Sequence, residues 1–134
     1  MMEHLAIELT ELGDNFISGR MPVDHRTVQP MKFLHGGASV ALAESLGSVA
    51  AQLVVDSNRF NCVGMEINAN HLKMVPDGYV YATAKPIHIG FRTHVWSIEI
   101  VNEANELVCI SRITIAVIDK KGDHNNPALP EYKI

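Results

Sequence analysis

Residues 33–55, FLHGGASVALAESLGSVAAQLVV, constrain what this chain folds into more than any other stretch. From Gly37 to about Val55 there is no proline and no β-branched run until the end, and alanine and leucine dominate, which predicts a helix. Asp56, Ser57 and Asn58 then break it. Between His35 and Asp56 the only ionisable side chain is Glu44. A helix this apolar on nearly all sides must be wrapped by the rest of the chain.

The rest of the chain supplies strands. NFISGRMPV (15–23) reads as a short strand with Pro22 near its end, where a lost amide hydrogen bond is tolerated. A polar connection carrying Arg26 and Gln29 follows. Beyond the helix, Val63, Met65, Ile67 and Ala69 alternate with Gly64, Glu66, Asn68 and Asn70, the two-residue period of a half-buried strand. PDG (76–78) is a turn signal, Tyr79–Ile87 a further strand, and Val95–Val101 another with Trp96, Ile98 and Ile100 on one face. NEANE (102–106) reads as a hairpin loop, and Leu107–Ile118 is a long, almost continuously apolar strand. One helix and five strands joined by short connections predict an α+β domain whose antiparallel sheet curls around the helix.

The 134 residues fit a single domain over 1–119, followed by a polar tail, 120–134, that holds Pro127 and Pro130 and is expected to be irregular. With 47% hydrophobic and 19% charged residues, the composition suits a soluble globular protein. A net charge of -4 offers no general field for nucleic-acid phosphates, so no nucleic-acid partner is expected. Cys62 and Cys109 lie in apolar stretches and form no C-x-x-C pair, which points to a reducing, cytoplasmic setting rather than a disulfide framework or zinc site. The acidic start, MMEHLAIELTELGD, lacks the pattern of a secretory signal. Residues 33–55 approach the length of a membrane span, but Glu44 would sit at its centre, so no membrane segment is expected.

On a helix, Glu44 neighbours Gly37, Val40, Ala41, Gly47, Ser48 and Ala51, none of them charged. Two readings stand: the carboxylate emerges through a packing gap into solvent, or it lies in a weakly polar cleft where Ser48, one turn on, supplies a hydrogen bond. At the other end of the motif, the first helical turn exposes unpaired N–H groups and a partial positive charge. Gly36 and Gly37 suit an anion or a developing oxyanion there; they equally suit a loop-to-helix turn that merely needs glycine. His35 either caps that turn or orients a bound carbonyl. Gln29 is ambiguous by itself. His71, His88 and His94 are scattered over strands and loops with no metal-ligand spacing, so no metal site is expected.

Taken together, MPVDHRTVQP (21–30), LHGGASVALAESLGSVA (34–50), VGMEINANHLK (63–73), PIHIG (86–90) and CISRITIAVI (109–118) resemble the hotdog-fold acyl-CoA thioesterases of the phenylacetate-degradation (PaaI) type. The match looks closest to the branch with the dihydroxynaphthoyl-CoA and enterobactin-proofreading thioesterases. The resemblance implies a central helix wrapped by a five-stranded antiparallel sheet, paired into homodimers with a continuous ten-stranded sheet and often into homotetramers. It implies hydrolysis of acyl-CoA, or of acyl-carrier-protein thioesters, without a cofactor. Glu44 would be nucleophile or general base, Gly36 the oxyanion donor, Gln29 and His35 would hold the thioester, and Ser48 would assist. Lys73, His88, Gly90 and Arg92 would meet the CoA end, and Val49 would shape the acyl pocket.

Helix geometry adds a constraint of its own. Gly36 and Glu44 stand about 12 Å apart along the axis at roughly 1.5 Å per residue, so both can act on one carbonyl only if they come from different subunits. The chain also departs from the family's pattern: a leading N-terminal helical segment is not expected, the last strand is followed by about fifteen residues, and Phe91 precedes Arg92 where a basic residue often stands. Two other functions remain open. A hotdog hydratase or dehydratase would carry a phenylalanine-proline pair in its histidine loop, which LHGG lacks; a non-catalytic acyl-CoA-binding module would not need Glu44.

Overall fold

In the computed structural model, which describes residues 1–120, the chain runs α1 (Met2–Leu5), β1 (Glu8–Leu12), β2 (Ile17–Pro22), α2 (Gly36–Val54), β3 (Phe60–His71), β4 (Tyr79–Ile89), β5 (Thr93–Val101) and β6 (Leu107–Asp119). The expected tail falls, but for Lys120, outside the described residues. All strands join one antiparallel sheet in the order β1-β2-β4-β5-β6-β3, curled around α2 as the hotdog resemblance implies.

The sheet has six strands where five were expected. ELTEL is exposed along its whole length, so it carries no core-facing pattern to read. Backbone pairing to β2 holds it, with a weak Arg20–Glu8 ion pair at 3.5 Å. A short, charged edge strand of this kind resists pairing with other chains. A single helical turn, α1, also stands at the N-terminus, where no leading helix was expected.

The central helix forms because its first turn is capped: the Gly37 N–H donates to Nδ1 of His35 at 2.8 Å. At its other end Gln52 ties the helix to β3, donating to the Phe60 carbonyl at 3.0 Å and accepting from the Cys62 N–H at 3.0 Å. Leu42, Ala43, Leu46 and Ala51 are fully buried against Val80, Ala82, Ile98, Ile100, Ile113 and Ile115. Each large apolar side chain buried here contributes about 1.5–3 kcal/mol. By length and composition α2 could cross a membrane, with a mean hydropathy of 1.3, but the sheet covers its apolar stripe.

The predicted alternation of β3 holds only over its second half. Ile67 and Ala69 pack on the core, whereas Val63 and Met65 are exposed and Cys62 turns inward instead. A bulge is the cause: Gly64 pairs with Ile115 and Glu66 with Thr114, leaving Met65 as the extra residue, which shifts every earlier side chain to the opposite face. β3 is hydrogen-bonded to β6 on one side and ends the sheet on the other. A twelve-residue edge is a template for a further strand.

Candidate active site

The segment between β2 and α2 is held by polar contacts rather than by regular structure. Thr27 donates to the Pro22 carbonyl at 2.8 Å, and the Thr27 carbonyl accepts from the His35 N–H at 2.8 Å. Arg26 grips Asp24 at 2.6 Å, and the guanidinium together with the Arg26 backbone N–H holds that carboxyl at about 2. Gln29 sits in the turn this frame presents. Its side-chain oxygen accepts from the Met31 N–H at 2.7 Å, leaving its amide nitrogen as a donor.

His35 settles at the N-cap of α2, so the capping reading of that residue is realised. Because Nδ1 accepts from Gly37, the ring hydrogen lies on Nε2, which stays directed away from the cap as a donor. The Ala38 and Ser39 N–H groups both donate to the His35 carbonyl. The Gly36 N–H is therefore the donor of this turn that meets no partner among the described residues. A Cβ at Gly36 would lie 2.9 Å from Nε2 of His71, so only glycine leaves the imidazole of β3 beside that N–H. Both border a cleft of about 510 Å³ that Phe33, Leu72, Lys73 and Met74 also line.

Glu44 is not on that cleft. It is exposed and lies against β3, where a Cβ at Gly64 would come within 2.8 Å of its Oε2. Of the two readings of the acid, solvent exposure describes the isolated chain. Ser48 is half-buried one turn on, and no hydrogen bond joins it to Glu44 among the described residues. Val49 is half-buried and packs on the core. The structure thus places His35 and Gly36 at the start of α2, Gln29 in the loop that leads to it, and Glu44, Ser48 and Val49 further along the helix.

The residues expected at the CoA end divide in the same way. His88, Gly90 and Arg92 gather at the β4–β5 turn: a Cβ at Gly90 would meet Nε2 of His88 at 2.6 Å, and the Arg92 carbonyl accepts from Val117 at the far end of β6. Lys73 stands by the start of β6, paired with Glu106 at 3.2 Å. The Asn102 amide, and then that pair, hold the Glu106 carboxyl below its usual range. At the β4–β5 turn, His94 is buried and accepts from the Trp96 indole at 3.3 Å; burial, aided by His88, pushes its imidazole below the ordinary histidine range.

Two residues of the site escaped the sequence reading. His71 was dismissed with the other histidines, and only the crossing of β3 under α2 brings it to Gly36. Gly64 had a signal, since glycine inside a strand marks a bulge or a close approach. Among the described residues no three His, Cys, Asp or Glu side chains converge as a metal site would require.

The sequence profile of the Thioesterase superfamily matches residues 31–109. The 1,4-dihydroxy-2-naphthoyl-CoA hydrolase of Escherichia coli is 48% identical over 118 residues, 88% of this chain and 85% of that protein. The proofreading thioesterase EntH of Cronobacter turicensis is 45% identical over 118 residues, again 88% of this chain and 85% of that protein. A crystal structure of a mutant thioesterase from Pseudomonas aeruginosa superposes with a TM-score of 0.87 at 47% identity, covering 88% of this chain and 85% of that one. A cap-to-helix motif with its own acid, a curled antiparallel sheet and relatives of nearly equal length lead to one family: the chain belongs to the Thioesterase superfamily and has its hotdog fold.

Proposed function

We propose that this chain is an acyl-CoA thioesterase whose two active sites each form between subunits, with Glu44 from one and Gln29, His35 and Gly36 from the other. Water adds to the thioester carbonyl, the carbon–sulfur bond breaks, and a free acid and a thiol leave. The name of the E. coli relative supports a CoA substrate, and that of the Cronobacter relative supports thioester cleavage.

The observation that carries the reading is where Gly36 and Glu44 stand on α2. They are about 12 Å apart along the helix, yet groups acting on one carbonyl must approach within about 3–3.5 Å. Gly36 adjoins His71 at one end of β3, and Glu44 adjoins Gly64 toward the other. Antiparallel pairing of two β3 edges about Ile67 and Asn68 would bring Gly64 next to the partner's His71. The two-fold axis then runs normal to the sheet, so both helices stay on one face and Glu44 comes beside the partner's Gly36. The result is a homodimer with one continuous sheet, open to further pairing into a homotetramer.

Within such a site the Gly36 N–H meets the developing oxyanion at a helix N-terminus, while Nε2 of His35 and the Gln29 amide hold the thioester. Glu44 attacks the carbonyl carbon or takes a proton from water, with Ser48 on the same face. Thiols have pKa values near 8.5, so the thiolate leaves without a strong general acid, and neither metal nor redox cofactor is required. Val49 borders the acyl group. His88, Gly90 and Arg92 receive the CoA phosphates at the β4–β5 turn, which Lys73 reaches only from the partner subunit. Free Cys62 and Cys109 suit the reducing cytoplasm. An acyl carrier protein is the other carrier whose thioester this site would accept.

The test is thiol release across aryl, short-chain and long-chain acyl-CoA thioesters, with Glu44→Gln as control. The reading expects turnover of at least one class and a loss of about 10²- to 10⁴-fold in the variant. No release from any thioester, or an unchanged rate in Glu44→Gln, would overturn it.

A further inference from the structure

Phe91 stands at the tip of the β4–β5 turn with 74% of its surface exposed. A single exposed apolar side chain needs no explanation, but this one has an unusual setting. Its ring meets that of Phe60 edge to face, with centroids 6.2 Å apart at 80°. Arg92 lies over the Phe91 ring at 5.6 Å and Arg59 over the Phe60 ring at 4.9 Å. Lys120 is fixed alongside, its N–H donating to the Arg59 carbonyl at 2.8 Å and its ammonium to the Ser57 carbonyl at 2.6 Å. The acids at this edge are Asp56 and Asp119, the latter opposite Phe60 in the sheet. The exposed ring of Phe91, braced by Phe60 and flanked by two guanidinium groups, offers a stacking face and phosphate donors together, the combination that holds a nucleotide.

The distance from the chemistry fits one particular nucleotide. Phe60 lies four residues before Gly64, the strand position against which Glu44 rests. Four extended residues span about 13 Å at ~3.3 Å each, with about a dozen backbone atoms. The pantetheine arm between the thioester sulfur and the diphosphate is a chain of about the same number of atoms, so it bridges the two places when extended alongside the strand.

We infer that the Phe60–Phe91 pair is an adenine platform that makes this enzyme prefer CoA thioesters over carriers without adenosine. The purine stacks on the exposed face of Phe91, and Arg59 and Arg92 meet the phosphates of the 3′-phosphorylated adenosine diphosphate. This rests on the thioesterase reading and names its carrier. Phe91 is a specificity residue here and takes no part in bond breaking.

The experiment compares benzoyl-CoA with benzoyl-pantetheine, which carries the same thioester and arm but no nucleotide. The preference for benzoyl-CoA, read as the ratio of the two kcat/KM values, is expected to fall about tenfold in Phe91→Leu, the loss of one stacked base. The change falls on KM, and Phe91→Trp restores it. Circular dichroism of Phe91→Leu checks that this exposed substitution leaves the fold intact. Hydrolysis of both substrates with an unaltered ratio in Phe91→Leu would overturn the platform and leave the thioesterase reading standing. Failure of the unsubstituted enzyme to release thiol from benzoyl-CoA and from every other acyl-CoA of the panel above would overturn that reading and the platform with it; if another class is the one turned over, its CoA and pantetheine thioesters replace the benzoyl pair.

Discussion

Gly64 leaves open the space that the Glu44 carboxylate occupies: a Cβ there would lie 2.8 Å from Oε2. The contact joins the lone acid of the helix to the open edge of the sheet, immediately before the bulge at Met65. Gly64→Ala forces the flexible end of Glu44 to move rather than the strand. Because alanine loses less chain entropy than glycine in a strand, the melting temperature is expected to hold or rise while kcat falls about tenfold from misplacement of the carboxylate. Steady-state kinetics beside thermal unfolding checks both halves.

Gly36 is the first residue of α2, preceded by His35 at φ -73, ψ 132. Proline is accepted at the first helical position, and the extended conformation of His35 suits a following proline. Gly36→Pro therefore deletes the one N–H assigned to the oxyanion and keeps the helix, although its ring must displace His71. The expected loss in kcat is about 10²- to 10³-fold, with helix content by circular dichroism unchanged.

The Asp24–Arg26 pair fixes the loop that presents Gln29 and His35. The Asp24 carboxyl is at about 2 in the fold against 3.8 ordinarily, so the unfolded chain binds its proton first as pH falls. The stability the pair contributes is complete above about pH 4 and is lost as pH falls through about 2. Asp24→Asn removes that part of the acid transition, and urea unfolding between pH 2 and pH 5 reads the difference.

His94 acts with the same sign at higher pH. Burial keeps its ring neutral, so below the ordinary value of 6.5 the unfolded chain takes up a proton that the fold resists. Stability falls as pH drops below 6.5 for this reason. His94→Gln, which retains an acceptor for the Trp96 indole, is expected to flatten the dependence of the melting temperature on pH in that range.

The helix and its boundaries were legible because alanine and leucine spell out a buried helix whichever sheet covers it. Five strands, β2 to β6, were legible from their apolar runs and alternation. β1 was not, since an edge strand with every side chain exposed displays no pattern. The face of Val63 and Met65 was misassigned because a bulge leaves no mark in hydropathy. At the site, the spacing of Gly36 and Glu44 already meant that both can act on one carbonyl only from different subunits. The sequence could not show that His71 and Gly64 sit beside them, or that Lys73 stands apart from His88 and Arg92, because these depend on how β3 and β6 cross the helix.

Complementation between inactive variants tests the shared site most directly. Glu44→Gln and Gly36→Pro each disable both sites of a homodimer, but a mixed dimer unites the intact Glu44 of one subunit with the intact Gly36 of the other. Unfolded together in equal amounts and refolded, the two variants are expected to recover about a quarter of the unsubstituted activity, since about half the dimers are mixed and each holds one intact site of two. Activity that stays at the level of the separate variants, with mixed dimers demonstrated by native mass spectrometry, would contradict an active site built from two subunits.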